Sequence, residues 1–292
     1  MPRCGPAPPG DARPVTATGI PRVGIALPSF RDTADPALTV ARTADASGVD
    51  AVFAYDHLFR RAADGSRRPS LELFALLGAV AVETSRVALG SLVARATLRP
   101  PAMLAHAFDT VSRIAGPDRL LATIGTGDSE SKEENERFGL PYGNLQDRVA
   151  ELKDAVVATR DRGYPVWVGG NSRLVRAIAA HDADGWNMWG TGVDAFRAHA
   201  ADVRASCVRA GFAISWGGLV VLDRDDEAAR EKAARLGAGD DVLVGGPATI
   251  ADALQGYVDA GASLVVVALI DSSNPENARL LGEEVSPILR AR

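Results

Sequence analysis

Short apolar runs that show no alternation, separated by amphipathic segments of helix length, recur from residue 23 to the end of the chain. This rhythm constrains the fold more than any single residue does. The runs cover residues 23–27, 51–54, 87–93, 120–124, 166–168, 185–188, 218–222 and 264–270, the sixth being the weakest. A stretch such as Leu264-Val265-Val266-Val267-Ala268-Leu269-Ile270 is what a strand buried on both faces of a parallel sheet requires. The segments between carry helix punctuation. Asp35-Pro36 supplies an N-cap followed by proline at the first helical position, Gly48 is placed to end that helix, and Leu38, Ala41 and Ala44 share one face. Pro247 and Gly261 bracket the helix before the last run, with Ile250, Leu254 and Tyr257/Val258 as its apolar stripe. Repeated strand, helix, strand means right-handed βαβ units. Eight such strands predict one (β/α)8 TIM barrel over residues 21–292, a doubly wound sheet being the alternative.

Six of the 17 prolines fall in the first 21 residues, which contain no apolar run, so residues 1–20 read as a disordered Pro-rich tail and not as a secretory leader. The net charge of −5, from 32 Lys+Arg against 37 Asp+Glu, gives no basic face for a nucleic acid. No stretch reaches the roughly 18–20 uncharged apolar residues of a membrane span. The two cysteines, Cys4 and Cys207, form neither a disulfide framework nor a metal spacing, as expected of a cytoplasmic enzyme with no metal.

In a barrel, chemistry belongs to the loops after the strands' C-terminal ends, here residues 28–35, 55–70, 94–101, 125–144, 169–172, 189–193 and 223–226. The longest, 125–144, contains the charged run 128–137, which reads as a short solvated helix or part of a lid. Tyr55-Asp56-His57 follows the second strand, where His57 can transfer a proton near neutral pH or simply satisfy a loop carbonyl. His106, His181 and His199 fall inside predicted helices and read as structural. Gly169-Gly170-Asn171-Ser172 lets backbone approach a ligand and opens a helix whose N–H groups suit an anion, although many strand-to-helix turns use glycine for geometry alone. Gly245-Gly246-Pro247 reads as a structural turn before a helix that does not follow a strand. Gly125-Thr126-Gly127-Asp128 permits close approach of a flat ligand, with Asp128 as acid, base or acceptor. Arg60, Arg61, Arg67 and Arg68 form either a solvated loop or a grip on an anionic ligand tail, and Trp186, Trp189 and Trp216 are core residues or walls for an aromatic cofactor. Walker A, G-x-G-x-x-G, G-x-S-x-G and H-E-x-x-H signatures are absent.

The order of these pieces goes further than each alone. Val23-Gly24-Ile25-Ala26-Leu27-Pro28, Tyr55-Asp56-His57-Leu58, Leu89-Gly90-Ser91-Leu92-Val93 and Thr97-Leu98-Arg99-Pro100-Pro101 come first. Gly125-Thr126-Gly127-Asp128, Pro165-Val166-Trp167-Val168-Gly169-Gly170, Ala183-Asp184-Gly185-Trp186-Asn187 and Gly261-Ala262 follow. Over residues 21–290 this set resembles the luciferase-like monooxygenase superfamily, and most closely its branch dependent on the deazaflavin coenzyme F420. The resemblance implies hydride exchange between the deazaflavin C5 and a small organic substrate, with His57 and Asp128 as catalytic residues. It implies Asp56 and His57 beside the ring, Leu92-Val93 as a non-proline cis peptide behind it, Gly169 and Gly170 on the coenzyme phosphate, and Arg95, Gly127, Ser131 and Asn171 as further cofactor contacts. Alternatives are an FMN-dependent monooxygenase that takes reduced flavin and O2, and a non-catalytic flavin-binding barrel. A flavin or F420 reductase is then an indirect partner, and a homodimer is compatible because relatives are often dimers. This sequence departs from the branch's sugar-phosphate dehydrogenases at three positions. Arg61 stands where they have tryptophan, Asp128 where they have glutamate and Ser131 where they have asparagine, which points away from a sugar phosphate.

Overall fold

The computed structural model describes residues 22–292 except Ala63 and Asp64; the expected tail and Cys4 lie outside the described residues. Eight parallel strands run β1 Arg22–Ala26, β2 Ala51–Ala54, β3 Ala88–Ser91, β4 Leu120–Gly125, β5 Val166–Gly169, β6 Gly185–Trp189, β7 Ala213–Leu222 and β8 Leu264–Leu269. Each pairs with the next. β8 returns to β1 with Arg22 opposite Leu264, closing the expected (β/α)8 barrel. Outside it lie α1 Asp35–Ser47, α2 Leu73–Glu83, α3 Pro101–Ala115, α4 Ser131–Arg137, α5 Leu145–Thr159, α6 Arg173–Asp182 and α7 Val193–Ser206. α8 Asp226–Leu236, α9 Pro247–Asp259, α10 Pro275–Leu280 and α11 Ser286–Arg290 complete the ring.

Successive strand residues face alternately inward and outward, and both directions are dry, which is why the runs show no hydropathic alternation. Outward residues such as Val23, Ile25, Val52 and Leu89 meet the helices in one core. Inward residues form a second, narrower core around Phe53 and Trp167. Both rings fit only because glycine faces them. A Cβ on Gly90 would lie 2.3 Å from Phe53 Cε1, and one on Gly185 would lie 2.7 Å from Trp167 Cε2. The same device explains why β7 starts at Ala213, ahead of the expected residue 218. Gly217 and Gly218 sit inside the strand and clear the indoles of Trp189 and Trp216.

Three local expectations are corrected. Asp35 is the first residue of α1 rather than its N-cap, which is Ala34 and makes no side-chain cap bond; Gly48 does end the helix, at φ 93°. A short strand, Leu243–Gly245, pairs beside β7 with Val220 opposite Leu243, so the helix after Gly246 does follow a strand. The arginine-rich loop after β2 is an antiparallel hairpin, Phe59–Arg61 against Arg67–Pro69. Among the described residues no helix is long and apolar enough to cross a membrane.

Gly90→Ala is expected to lower stability by about 1–3 kcal/mol by driving a methyl into the Phe53 ring. Phe53→Leu on that background should recover part of the loss. An unchanged urea midpoint for Gly90→Ala would contradict this packing.

Candidate active site

At the C-terminal ends of the strands a cavity of about 420 Å³ opens. Its floor is the turn after β3, where the Leu92–Val93 peptide bond is cis. The Val93 methyls lie against the last residues of the two following strands, β4 and β5. A Cβ on Gly125 or on Gly169 would lie 2.5 Å from them, so both strands must end in glycine. Phe30 and Tyr55 stack at 5.7 Å on one side, with Trp189 edge-on to Tyr55 at 6.4 Å. Gly127, Asp128 and Ser131 follow β4 on the opposite side, and Gly169 and Gly170 follow β5. His57 and Arg60 close the rim from the β2 loop, and Asn187 faces in from β6.

The polar frame is buried and ordered by charge. His57 Nδ1 lies 2.6 Å from Glu134 Oε1, and Glu134 Oε2 accepts from Leu58 N–H at 2.6 Å and from Arg95 Nη2 at 3.0 Å. Arg95 also donates from Nε to the Asp56 carbonyl at 2.8 Å and from Nη1 to Asn135 Oδ1 at 3.3 Å. Asp56 accepts from the Arg95 backbone N–H and, through both oxygens, from Arg99. Burial acts to lower the Arg99 value, but the paired charges of Asp56 and Glu72 outweigh it and hold the guanidinium charged more firmly than usual. Burial pushes the Tyr55 phenol well above its ordinary range, with nearby Arg60 opposing, so Tyr55 presents an O–H throughout the working pH range.

The charged run 128–137 is neither a free lid nor a fully solvated helix. Ser131, Glu134 and Asn135, at helical spacing on α4, turn one polar face into the frame and are buried. Glu133 faces the other way and grips the hairpin, accepting from Arg61 at 2.7 and 2.8 Å and from Arg67 at 2.6 and 3.1 Å. Those bonds hold its carboxyl below the ordinary glutamate range. Asp128 stands at the mouth, where its Oδ1 accepts from Ser131 N–H at 2.9 Å and Ser131 Oγ at 2.8 Å. Burial acts to raise its value, but the Ser131 bonds, with His57 and Arg95 nearby, prevail and hold it low. Asp128 is therefore an ionised acceptor.

Of the sequence candidates, His57, Leu92, Val93, Arg95, Gly127, Asp128, Ser131, Gly169 and Gly170 all line the cavity. Asp56 and Asn171 do not. Asp56 is 3% exposed and turned to Arg99, and Asn171 is exposed beside the loop after β6. Of the tryptophans only Trp189 lines the cavity; Trp186 and Trp216 are core. Sequence reasoning missed Glu134, Phe30 and Asn187. The i, i+3, i+4 spacing of Ser131, Glu134 and Asn135 was the available signal for Glu134, masked by charged neighbours on every side.

Residues 14–241 match the luciferase-like monooxygenase family. An F420-dependent glucose-6-phosphate dehydrogenase of Beutenbergia cavernae is 35% identical over 127 residues, 43% of this chain and 35% of that protein. The chain thus aligns with little more than a third of the length of such curated relatives. Among solved structures, an F420-dependent secondary alcohol dehydrogenase in complex with an F420–acetone adduct superposes with TM-score 0.77 at 15% identity, over 93% of this chain and 99% of that one. An EDTA monooxygenase from Chelativorans sp. gives 0.75 at 13% identity, over 94% of each chain. At such identities these two speak for the fold.

The folded Asp128 value lies below that of the unfolded chain. Its contribution is therefore full above the unfolded range, about pH 4, and is lost as pH falls through the folded value. Ser131→Ala is expected to cost about 0.5 kcal/mol at neutral pH, allowing for the exposed rim. The gap to wild type in urea unfolding should narrow on acidification; a gap that stays constant down to about pH 3 would count against the assignment.

Proposed function

The chain belongs to the luciferase-like monooxygenase family, and from that premise we propose that it is an oxidoreductase using coenzyme F420 on a small organic substrate. The observation that carries this reading is the cavity itself: a flat apolar floor at Leu92-Val93, glycine-lined edges at Gly127 and Gly169-Gly170, and an imidazole at the open side. Those features suit a planar tricycle with a phosphate-bearing tail. The 35% identity to an F420-dependent dehydrogenase supports the choice of coenzyme. When bound, the deazaflavin supplies a carbon centre at C5 that exchanges a hydride and does not require O2.

The chain's own residues then divide the work. Leu92 and Val93 support one face of the ring. The backbone of Gly169 and Gly170, with Asn171 and the start of α6 behind it, receives the phosphate. His57 handles a proton beside the reacting carbon, Tyr55 offers a hydroxyl donor, and ionised Asp128 accepts a hydrogen bond from ligand or water. Arg95 and Ser131 hold the edge of the pocket. Among the described residues Arg60 and Arg68 have no carboxylate partner, whereas Arg61 and Arg67 are engaged by Glu133. Arg60 and Arg68 are thus the hairpin cations left for an anionic coenzyme tail.

Parallel titration of the purified protein with F420 and FMN tests the coenzyme. Selective F420 binding is expected, and preference for FMN would replace this reading with a reduced-flavin monooxygenase. F420 binding without hydride exchange for any enone, imine or alcohol would leave a non-catalytic barrel. His57→Ala is expected to reduce turnover on the order of 10²-fold while leaving coenzyme affinity nearly unchanged; full turnover would remove His57 from the chemistry. Replacing Arg60 and Arg68 together by alanine should weaken long-tailed F420 more than a short-tailed form, and equal losses would sever the hairpin from the tail.

A further inference from the structure

The buried carboxylate of Glu134 does not line the cavity and has so far been given no role, yet it lies 2.6 Å from the one histidine in the site. We propose that Glu134 is a positioning residue that fixes His57 as the Nδ1–H tautomer, so that Nε2 is the atom that takes up and returns a proton. This rests on the reading of His57 as the proton-handling group.

The argument is one of charge and hydrogen-bond supply. Glu134 is 2% exposed, and its Oε2 is occupied by two donors, Leu58 N–H and the Arg95 guanidinium. The proton shared over the 2.6 Å between Oε1 and His57 Nδ1 can sit on either atom. On Oε1 it would make Glu134 a neutral acid against a buried guanidinium. The other buried carboxylate near Arg95, Asp56, is already neutralised by Arg99. Arg95 would then be a buried cation without the carboxylate bonded to it, left only with the more distant Asp128, a state that costs more than an ordinary lost hydrogen bond. The proton therefore belongs on Nδ1.

Nε2 has no protein partner among the described residues, and His57 lines the cavity. The stacked pair Phe30 and Tyr55 lies tilted against one side of the imidazole, at 5.8 and 6.5 Å, and the bond at Nδ1 orients the ring without contact at Nε2. In the step this sets up, an O–H or N–H bond of the bound substrate breaks and Nε2–H forms. The imidazolium that results carries its second proton on Nδ1 against a full negative charge, and the reverse transfer restores the neutral ring. The geometry resembles the way a buried carboxylate orients the histidine of a hydrolytic triad, here with glutamate on a helix of about two turns.

The test uses cofactor-free protein carrying nitrogen-labelled histidine, read by NMR. Loss of one resonance set in His57→Asn assigns the signal among the four histidines. In wild type, neutral His57 is expected to carry its proton on Nδ1, and that proton should be shifted far downfield and protected from exchange by the short bond. Glu134→Ala should lose the protected proton and move the ring to the Nε2–H form that free imidazole prefers. Glu134→Gln must give its single amide oxygen to the two donors at the Oε2 position, Leu58 N–H and Arg95, which turns its NH2 toward Nδ1. A folded Glu134→Gln should therefore also show the Nε2–H form, a tautomer switch that a purely structural role would not give. A wild-type His57 protonated on Nε2, or a tautomer unchanged in Glu134→Ala, would overturn the proposal. Should Glu134→Ala fail to fold without its bond to Arg95, the wild-type tautomer alone decides the matter. Because no coenzyme is present, the outcome is independent of whether F420 or FMN binds.

Discussion

The Arg95 guanidinium is almost wholly withdrawn from water, and a charge so placed is tolerable only because its nitrogens meet acceptors from two other segments. Asp56 comes from the segment after β2, Arg95 itself from the turn after β3, and Glu134 and Asn135 from α4 beyond β4. Three neighbouring strand ends are thereby held in one arrangement. Everything chemically interesting hangs from that tie: His57 follows Asp56 directly, the cis bond precedes Arg95 by two residues, and Asp128 leads into α4. A barrel supplies loops at a common face but does not fix them relative to one another. Here a buried cation does.

The floor of the cavity depends on steric exclusion rather than polarity. Val93 occupies the space that side chains at Gly125 and Gly169 would need, so the ends of β4 and β5 present only backbone to a ligand. Backbone edges and an apolar base are indifferent to the electronic nature of a planar ring. The likeness to an F420-dependent dehydrogenase and to a monooxygenase is one of fold. The polar side chains His57, Tyr55, Asp128 and Asn187 line the same cavity.

The architecture was legible because burying a strand on both faces leaves an unmistakable apolar run, and residues such as Val265 and Val267 signal it without help from neighbours. The individual cavity residues were legible where glycine or histidine occurs directly after such a run. Glu134 was not, because a charged residue that satisfies a buried partner and one that faces water look alike when the partners, His57 and Arg95, are far away in sequence. Asp56 misled for the same reason in reverse: adjacency to His57 suggested a shared role, whereas Arg99 draws its side chain away from the cavity. The hairpin and the Leu243–Gly245 strand escaped notice because three-residue strands carry too little pattern, and Gly217-Gly218 concealed the start of β7 because the need for those glycines arises from indoles elsewhere.

Adjacent glutamates on α4 divide two tasks between media of different polarity. Glu133 holds the hairpin through partly exposed contacts with Arg61 and Arg67, whereas Glu134, itself buried, holds the Nδ1 side of His57. Mobile ions screen the first pair of contacts and scarcely reach the second, since the Debye length shrinks to about 3 Å near 1 M salt but applies only where solvent penetrates. Ionic strength therefore acts on the rim and the histidine as separate variables. A concentrated electrolyte weakens the grip of α4 on the hairpin beside the cavity while the buried Glu134 carboxylate keeps its partners.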